Sequence, residues 1–110
     1  MTTNIITAII TAYCACKVCC GPNAKGITAS GNKPIEGVTV AIPRRYPLGS
    51  RVIMQTISKY GDSSNSRRNH YLGLDRTATK YDGRIDVYFA SHATAKNFGI
   101  KREQVTIITP

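Results

Sequence analysis

Three of the six carboxylates of the chain, Asp75, Asp82 and Asp86, lie within residues 74–92, although the chain carries fifteen Lys and Arg residues. Asp75 and Asp86 are eleven residues apart, which is enough for a strand end, a connection and a return, so both carboxylates are predicted to converge in one cleft. Repulsion between neighbouring carboxylates favours a proton on one of them, and such a carboxyl group can act as a general acid. Asp82 precedes a glycine in YDGR and is predicted to be a turn residue.

A general acid of this kind is typical of glycosidic bond cleavage, in which the leaving oxygen gains a proton as the sugar develops oxocarbenium character. The alternative is structural, with both aspartates forming ion pairs that keep them charged. The cations available nearby in the chain are Arg76, Lys80 and Arg84. The residue types and their spacing leave both interpretations open.

The segment GRIDVYF, residues 83–89, alternates between apolar and polar positions, as a strand with one buried face does. Its apolar face comprises Ile85, Val87 and Phe89. Its polar face comprises Arg84, Asp86 and Tyr88. Asp86 is therefore predicted to point away from the core, where water, a cation or a function must explain its position.

Gly, Pro and Asn recur about every ten residues, which is typical of short strands. Further strands are predicted over residues 5–13, 37–42, 50–57, 70–75 and 104–109, with the first mostly buried. A polar surface loop is predicted over residues 58–70. Ser91 as N-cap and Gly99 as stop predict one short helix, with His92 making a hydrogen bond at its start. Six strands favour a small β-barrel, because closure removes unpaired edges.

The composition is that of one small basic domain, residues 1–110, expected to be a monomer. Its formal net charge of +9 predicts attraction to polyanions, which include nucleic acid, acidic membranes and bacterial walls. Nucleic-acid binding is disfavoured, because the basic residues are dispersed and form no RNP, KH or helix-turn-helix pattern. The opening segment, MTTNIITAIITAY, lacks the basic start of a signal peptide and is too short to span a membrane.

The four cysteines, Cys14, Cys16, Cys19 and Cys20, fall within seven residues of one another. Such crowding is compatible with local disulfides, with a thiolate metal site or with small buried side chains. A structural zinc site normally has a second, separated pair of ligands, and the chain has none. The pattern therefore favours a local disulfide or plain packing, and no metal is predicted.

Five motifs in order resemble the 3D domain, a family named for three aspartates and found in bacterial cell-wall lytic enzymes and their phage relatives. They are TAYCACKVCCG, GITASG, VAIPRRYPLGS, LDRTATKYDGRIDVYF and SHATAKNFGI. The similarity covers residues 10–108, nearly the whole chain. It implies an all-β fold, a six-stranded double-psi β-barrel with one short helix, related to the barrel of membrane-bound lytic transglycosylase A.

The resemblance also implies an activity. The chain is expected to be a peptidoglycan lytic transglycosylase that cleaves glycan strands without a cofactor, in the bacterial wall or periplasm, and a phage origin would suit so short a domain. Asp86 matches the family's catalytic acid and base, and Asp75 matches the aspartate that supports it. The remaining candidate site residues, for substrate binding, are Tyr13, Thr28, Ser30, Arg84 and Tyr88. A turn role for Thr28 and Ser30, and plain packing for the tyrosines, remain open.

The sequence departs from the family pattern at one residue and in one segment. Ile42 occupies the place of the family's first aspartate, and DRTATKYDG replaces a glycine-rich connection. A second hypothesis is therefore an expansin-like module that binds wall polysaccharide without cutting it.

Overall fold

The computed structural model describes residues 1–14, 27–54, 70–78 and 80–110. The described strands are β1 (Thr2–Tyr13), β2 (Thr39–Ile42), β3 (Ser50–Ile53), β4 (His70–Arg76), β5 (Arg84–Tyr88) and β6 (Lys101–Thr109), and the described helix is α1 (His92–Phe98). The predictions for Cys16, Cys19 and Cys20, and for all of the loop 58–70 but its last residue, lie outside these ranges.

The six strands close into a barrel in the order β1, β5, β2, β4, β3, β6. Two pairs are parallel, β1 with β5 and β2 with β4, and the other four pairs are antiparallel. Parallel neighbours need connections that cross from one end of the barrel to the other, so the fold is not a simple meander. The predicted all-β barrel with a short helix is confirmed, and the double-psi topology stays a prediction.

The barrel interior is filled mainly by aliphatic side chains from alternate strand positions. The most deeply buried aliphatic residues are Ile10, Val40, Ile42, Val52, Ile85, Val87, Val105 and Ile107. The alternation predicted for β5 is present, because Ile85 and Val87 are buried while Asp86 between them is only half-buried. Helix α1 packs Ala95 and Phe98 against this core, with the Phe98 ring 5.7 Å from that of Phe89.

The prediction of a mostly buried first strand is wrong for its N-terminal half. Strand β1 begins at Thr2, and Ile5 is 62 % exposed. Strand β5 pairs only with Ile9 to Tyr13, whereas β6 pairs along β1 from Thr2 to Ile10. The first half of β1 therefore extends beyond the part of the sheet that covers the core.

Other strand ends within the described ranges differ from prediction by one to three residues, and residues 55–57 of the strand predicted over 50–57 lie outside those ranges. β2 begins at Thr39 and not at residue 37, because Gly37 has a positive φ of 86° that interrupts extended backbone. β4 continues to Arg76, and β6 begins at Lys101. The predicted helix caps are present, since the Ser91 side chain accepts from the backbone N–H of Thr94 and Gly99 has a φ of 76°.

Strand β4 contains a bulge that determines where Asp75 lies. Val40 of β2 pairs with Gly73, but the next residue, Ala41, pairs with Asp75, so Leu74 is an extra residue. Regular pairing would place Asp75 beside the buried Ile42, on the core side of the sheet. Because a bulge reverses the faces of the residues that follow it, Asp75 lies on the outer face beside Ala41.

Candidate active site

Four residues on four adjacent strands form one row across the outer face of the sheet. Their order is Asp75 on β4, Ala41 on β2, Asp86 on β5 and Thr11 on β1. Register partners direct their side chains to the same face, so both aspartates belong to one surface. Neighbouring strands lie about 4.8 Å apart, which separates the Cα atoms of the two aspartates by about 10 Å. Ala41 between them is 3 % exposed.

The Asp86 carboxylate is held through one of its two oxygens. The Thr11 hydroxyl donates to Oδ1, and the Nε of Arg84 lies 3.2 Å from the same oxygen. The Arg84 Nε is also 2.9 Å from the Thr11 hydroxyl oxygen, so these three side chains form one closed group. Within the described ranges, Oδ2 of Asp86 has no hydrogen-bond donor. The side chain of Asp86 is 21 % exposed, so the carboxylate is partly accessible from solvent.

Asp75 has a different set of partners. The Tyr13 hydroxyl donates to Oδ2 at 2.9 Å, and the backbone N–H groups of Ala29 and Arg76 each donate to Oδ1 at 2.9 Å. The guanidinium of Arg76 donates instead to the carbonyl oxygens of Pro43 and Tyr46. Asp86 thus forms an ion pair with Arg84, whereas Asp75 is held by neutral donors, and the structural and catalytic interpretations both stay predictions.

Tyr13 connects the two halves of the site. It lies two residues after Thr11, on the same face of β1, and its hydroxyl reaches Asp75 on the far side of β5 and β2. Its ring packs edge-on against Tyr88, with the ring centroids 5.7 Å apart. The hydroxyl and the ring of Tyr13 thus both have partners, and sugar stacking by Tyr13 and Tyr88 stays a prediction.

Thr28 and Ser30 lie in a turn that contacts the Asp75 end of the row. Their hydroxyl oxygens are 2.7 Å apart, and the Thr28 hydroxyl donates to the carbonyl of Asn32. The backbone N–H of Ser30 donates to the carbonyl of Leu74, the bulge residue. The turn role left open by the sequence is therefore present, and backbone N–H groups of Ala29 and Ser30 attach the turn to β4 at Asp75 and Leu74.

The predicted substrate-binding residue Arg84 has a further partner besides Asp86 and Thr11. Its guanidinium carbon lies 4.2 Å above the centroid of the Tyr81 ring, a distance suited to a cation–π contact. Asp82 follows Tyr81 in the chain, lies in the turn before β5 and pairs with Arg45. Asp82 is thus a turn residue, as predicted, and its carboxylate has its own exposed cation.

Two residues of the site were missed at the level of sequence. Thr11 donates to Asp86, and the Tyr81 ring lies under the Arg84 guanidinium. The sequence predicted neither contact. The spacing of Thr11 and Tyr13 does carry a signal, because alternate residues of a strand share a face. No local pattern indicates that this face meets β5.

The cysteine cluster has one described member. Cys14 is 2 % exposed, and its sulfur lies 3.3 Å from Nδ1 of His92, the first residue of α1. Within the described part of the chain, no three His, Cys, Asp or Glu side chains are grouped to hold a metal ion. No helix among the described residues is long and apolar enough to cross a membrane.

Comparison of the chain with protein-family models and with curated proteins gives no match. A functional assignment therefore depends on the geometry of the row that contains Asp75 and Asp86, together with the motif resemblance described above.

Proposed function

We propose that this chain is a peptidoglycan lytic transglycosylase of the 3D domain type, with a double-psi barrel, acting as a monomer on glycan strands in the bacterial wall. The observation that carries the proposal is the row in which Asp86 and Asp75 flank Ala41 on one outer face of the barrel. A site of this kind presents one half-buried carboxyl oxygen beside a second, separately held carboxylate. The net charge of +9 supports attraction to a wall that carries acidic groups.

In the proposed first step, protonated Asp86 donates its proton to the oxygen that links N-acetylmuramic acid to N-acetylglucosamine. The bond from that oxygen to C1 breaks, and C1 takes on oxocarbenium character. In the second step, the Asp86 carboxylate accepts the proton of the muramyl C6 hydroxyl, whose oxygen attacks C1. A 1,6-anhydro ring closes, no water is consumed, and Asp86 recovers its proton.

Thr11 and Arg84 support the second of these steps. Both donate to Oδ1 of Asp86, which orients the carboxylate that must act as the base while leaving Oδ2 directed to the substrate. In the first step Asp86 carries a proton and no charge, so Arg84 must release its ion pair with Asp86. A shift of the Arg84 guanidinium away from Asp86 and toward the Tyr81 ring would meet this requirement, because the guanidinium already contacts both groups.

Asp75 is assigned a supporting role. Its Cα lies about 10 Å from that of Asp86, from two strand spacings, and three donors hold its carboxylate in place. Those donors belong to Tyr13, to the turn that contains Thr28 and Ser30, and to its own strand. Asp75 thereby holds Tyr13, which follows Thr11 on β1, and the turn that contacts the Asp75 end of the row.

The second candidate function is a wall polysaccharide-binding module that does not cut. Two observations favour it. Asp86 forms an ion pair with Arg84, the arrangement of a structural carboxylate. Ile42, at the place of the family's first aspartate, is fully buried in the barrel core, so no third acid reaches the site from that position.

The test compares the native protein, Asp86→Asn and Asp82→Asn on purified peptidoglycan sacculi, with mass spectrometry of the soluble and pelleted fractions. Asp82→Asn is the matched control, because it removes a carboxylate four residues away that pairs only with exposed Arg45 among the described residues. The proposal expects soluble 1,6-anhydromuramyl fragments from the native protein and the control, and none from Asp86→Asn. If all three proteins pellet with intact sacculi and release nothing, the binding module is the correct function.

A further inference from the structure

The outer face of the β1–β6 pair is a second exposed surface beside the candidate site. We call it the ribbon face, and it comprises Thr3, Ile5, Thr7 and Ile9 of β1 with Arg102, Gln104, Thr106 and Ile108 of β6. Ile5 is 62 % and Ile9 is 38 % exposed, which is unusual for isoleucine in a strand. Threonine and isoleucine alternate along β1, so methyl groups and hydroxyl groups form one continuous stripe.

This stripe leads directly into the candidate active site. The next residue on the same face of β1 after Ile9 is Thr11, which donates to Asp86, and the one after that is Tyr13, which donates to Asp75. Thr11 is eight positions after Thr3, a length of about 26 Å at the rise of a strand. An extended polymer that lies along β1 would therefore pass Asp86 without turning.

The charges beside the stripe are positive. Ile9 pairs with Arg102 on β6 and with Arg84 on β5, so one exposed isoleucine has an arginine on each side. At the other end, Ile108 pairs with the exposed Arg51 of β3. The eight residues of the ribbon face include no Asp or Glu. Arginines at both ends of the face favour an anionic partner.

We propose that the ribbon face binds the part of an anionic wall glycan that extends beyond the cleaved bond, an inference that rests on the proposed function. The apolar faces of sugar rings lie against Ile5 and Ile9, and sugar hydroxyls pair with Thr3 and Thr7. Acidic substituents of the polymer pair with Arg102 and Arg51. The face thereby sets a preference for long strands over short oligosaccharides.

A glycan explains this surface better than a second copy of the chain does. Stacking two ribbon faces would bring the arginines of both copies together, and each chain already carries a net charge of +9. Like charges at an interface oppose association. A neutral surface of isoleucine and threonine without flanking arginines would have favoured self-association instead.

The experiment measures binding of Asp86→Asn to sacculi by pelleting, so that cleavage does not consume the ligand. Ile5→Glu and Arg102→Glu are introduced into that background. The matched controls are Ile35→Glu, at a residue 57 % exposed, and Lys96→Glu on α1, both outside the ribbon face. Each ribbon-face variant is expected to bind about tenfold more weakly, equivalent to about 1.4 kcal/mol, and each control to bind within about twofold of the parent.

Three results would overturn the inference. If the ribbon-face variants bind sacculi as well as their controls do, the ribbon face does not bind the glycan, even if the native protein releases anhydro fragments. Loss of binding that follows charge alone, equal in Ile5→Glu and Ile35→Glu and, at twice the change in charge, equal in Arg102→Glu and Lys96→Glu, shows a non-specific polyanion effect. A dimer in sedimentation velocity that Ile5→Glu disrupts identifies a second copy as the occupant. Absence of anhydro product from the native protein, with binding still lost in the ribbon-face variants, refutes the cleavage proposal and leaves the ribbon face supported.

Discussion

Asp75 and Asp86 are both register neighbours of Ala41, so a single residue of β2 separates the strands that carry the two carboxylates. Each carboxylate has its own donors, and within the described ranges no donor serves both. The two carboxylates therefore lie on opposite sides of one alanine, and substitutions of their donors should have separate effects.

Thr11 is expected to position Asp86. Thr11→Val keeps the shape of the side chain but removes the hydroxyl that contacts both Asp86 and Arg84, at a position 5 % exposed. Loss of this buried hydrogen bond should lower the free energy of unfolding by about 1 to 2 kcal/mol. Release of anhydro fragments from sacculi should fall about tenfold or more. Thr11→Ser keeps the hydroxyl and should retain most of the activity, and equal activity of the Val and Ser variants would contradict the positioning role.

Tyr13 is expected to act through Asp75. Tyr13→Phe removes the hydroxyl that donates to Asp75 but keeps the ring packed against Tyr88. The initial rate of fragment release should fall about tenfold, while binding of the protein to sacculi changes little. Tyr46→Phe is the control, because it also removes a phenol hydroxyl and keeps its ring near Arg45, at a residue outside the row. A rate for Tyr13→Phe equal to that of the control would remove Tyr13 from the site.

Gly73 is expected to be required for the packing beside the bulge. A Cβ at this position would lie 2.5 Å from Cδ1 and 2.9 Å from Cγ2 of Ile42, whose side chain is fully buried. Gly73→Ala should therefore destabilise the protein by about 1 to 3 kcal/mol in urea unfolding. Adding Ile42→Val, which removes Cδ1, should recover part of that loss.

The control for this position is Gly83→Ala, because a Cβ there meets nothing within 4 Å. It should leave stability within about 0.5 kcal/mol of the native protein. If Gly73→Ala is equally mild, the close approach of Gly73 to Ile42 does not limit the fold.

Ser91 is expected to stabilise α1 as its N-cap. Ser91→Ala removes the acceptor for the backbone N–H of Thr94 and should lower stability by about 0.5 to 2 kcal/mol. Ser91→Asp restores an acceptor and should recover most of that loss in thermal unfolding. Unchanged stability of the alanine variant would show that burial of Ala95 and Phe98 is sufficient to hold the helix.

Local patterns determined much of the secondary structure. The alternation in residues 83–89 predicted which side of β5 is buried, and Ser91 with Gly99 predicted the bounds of α1, as the structure has them. Both predictions work because side-chain period and helix capping depend on residues only a few positions apart. The turn at Asp82 was predictable for the same reason.

Contacts between distant strands were decided by the tertiary structure. Thr11 reaches Asp86 across 75 residues of chain and Tyr13 reaches Asp75 across 62, because β1 lies parallel to β5 in one particular register. Arg84 binds Asp86, whereas the Arg76 guanidinium binds the carbonyls of Pro43 and Tyr46. Strand register and the path of each side chain decide which of the nearby cations reaches Asp86.

The position of Asp75 shows the difference between what the sequence determines and what the tertiary structure decides. Its residue type and its spacing from Asp86 were sufficient to mark it as a candidate, but strict alternation from the buried Tyr71 would have turned it toward the core. The extra residue at Leu74 turns it outward beside Ala41. A bulge depends on how β4 fits against β2, so the sequence alone determined which acids are present, and strand packing decided that they share a face.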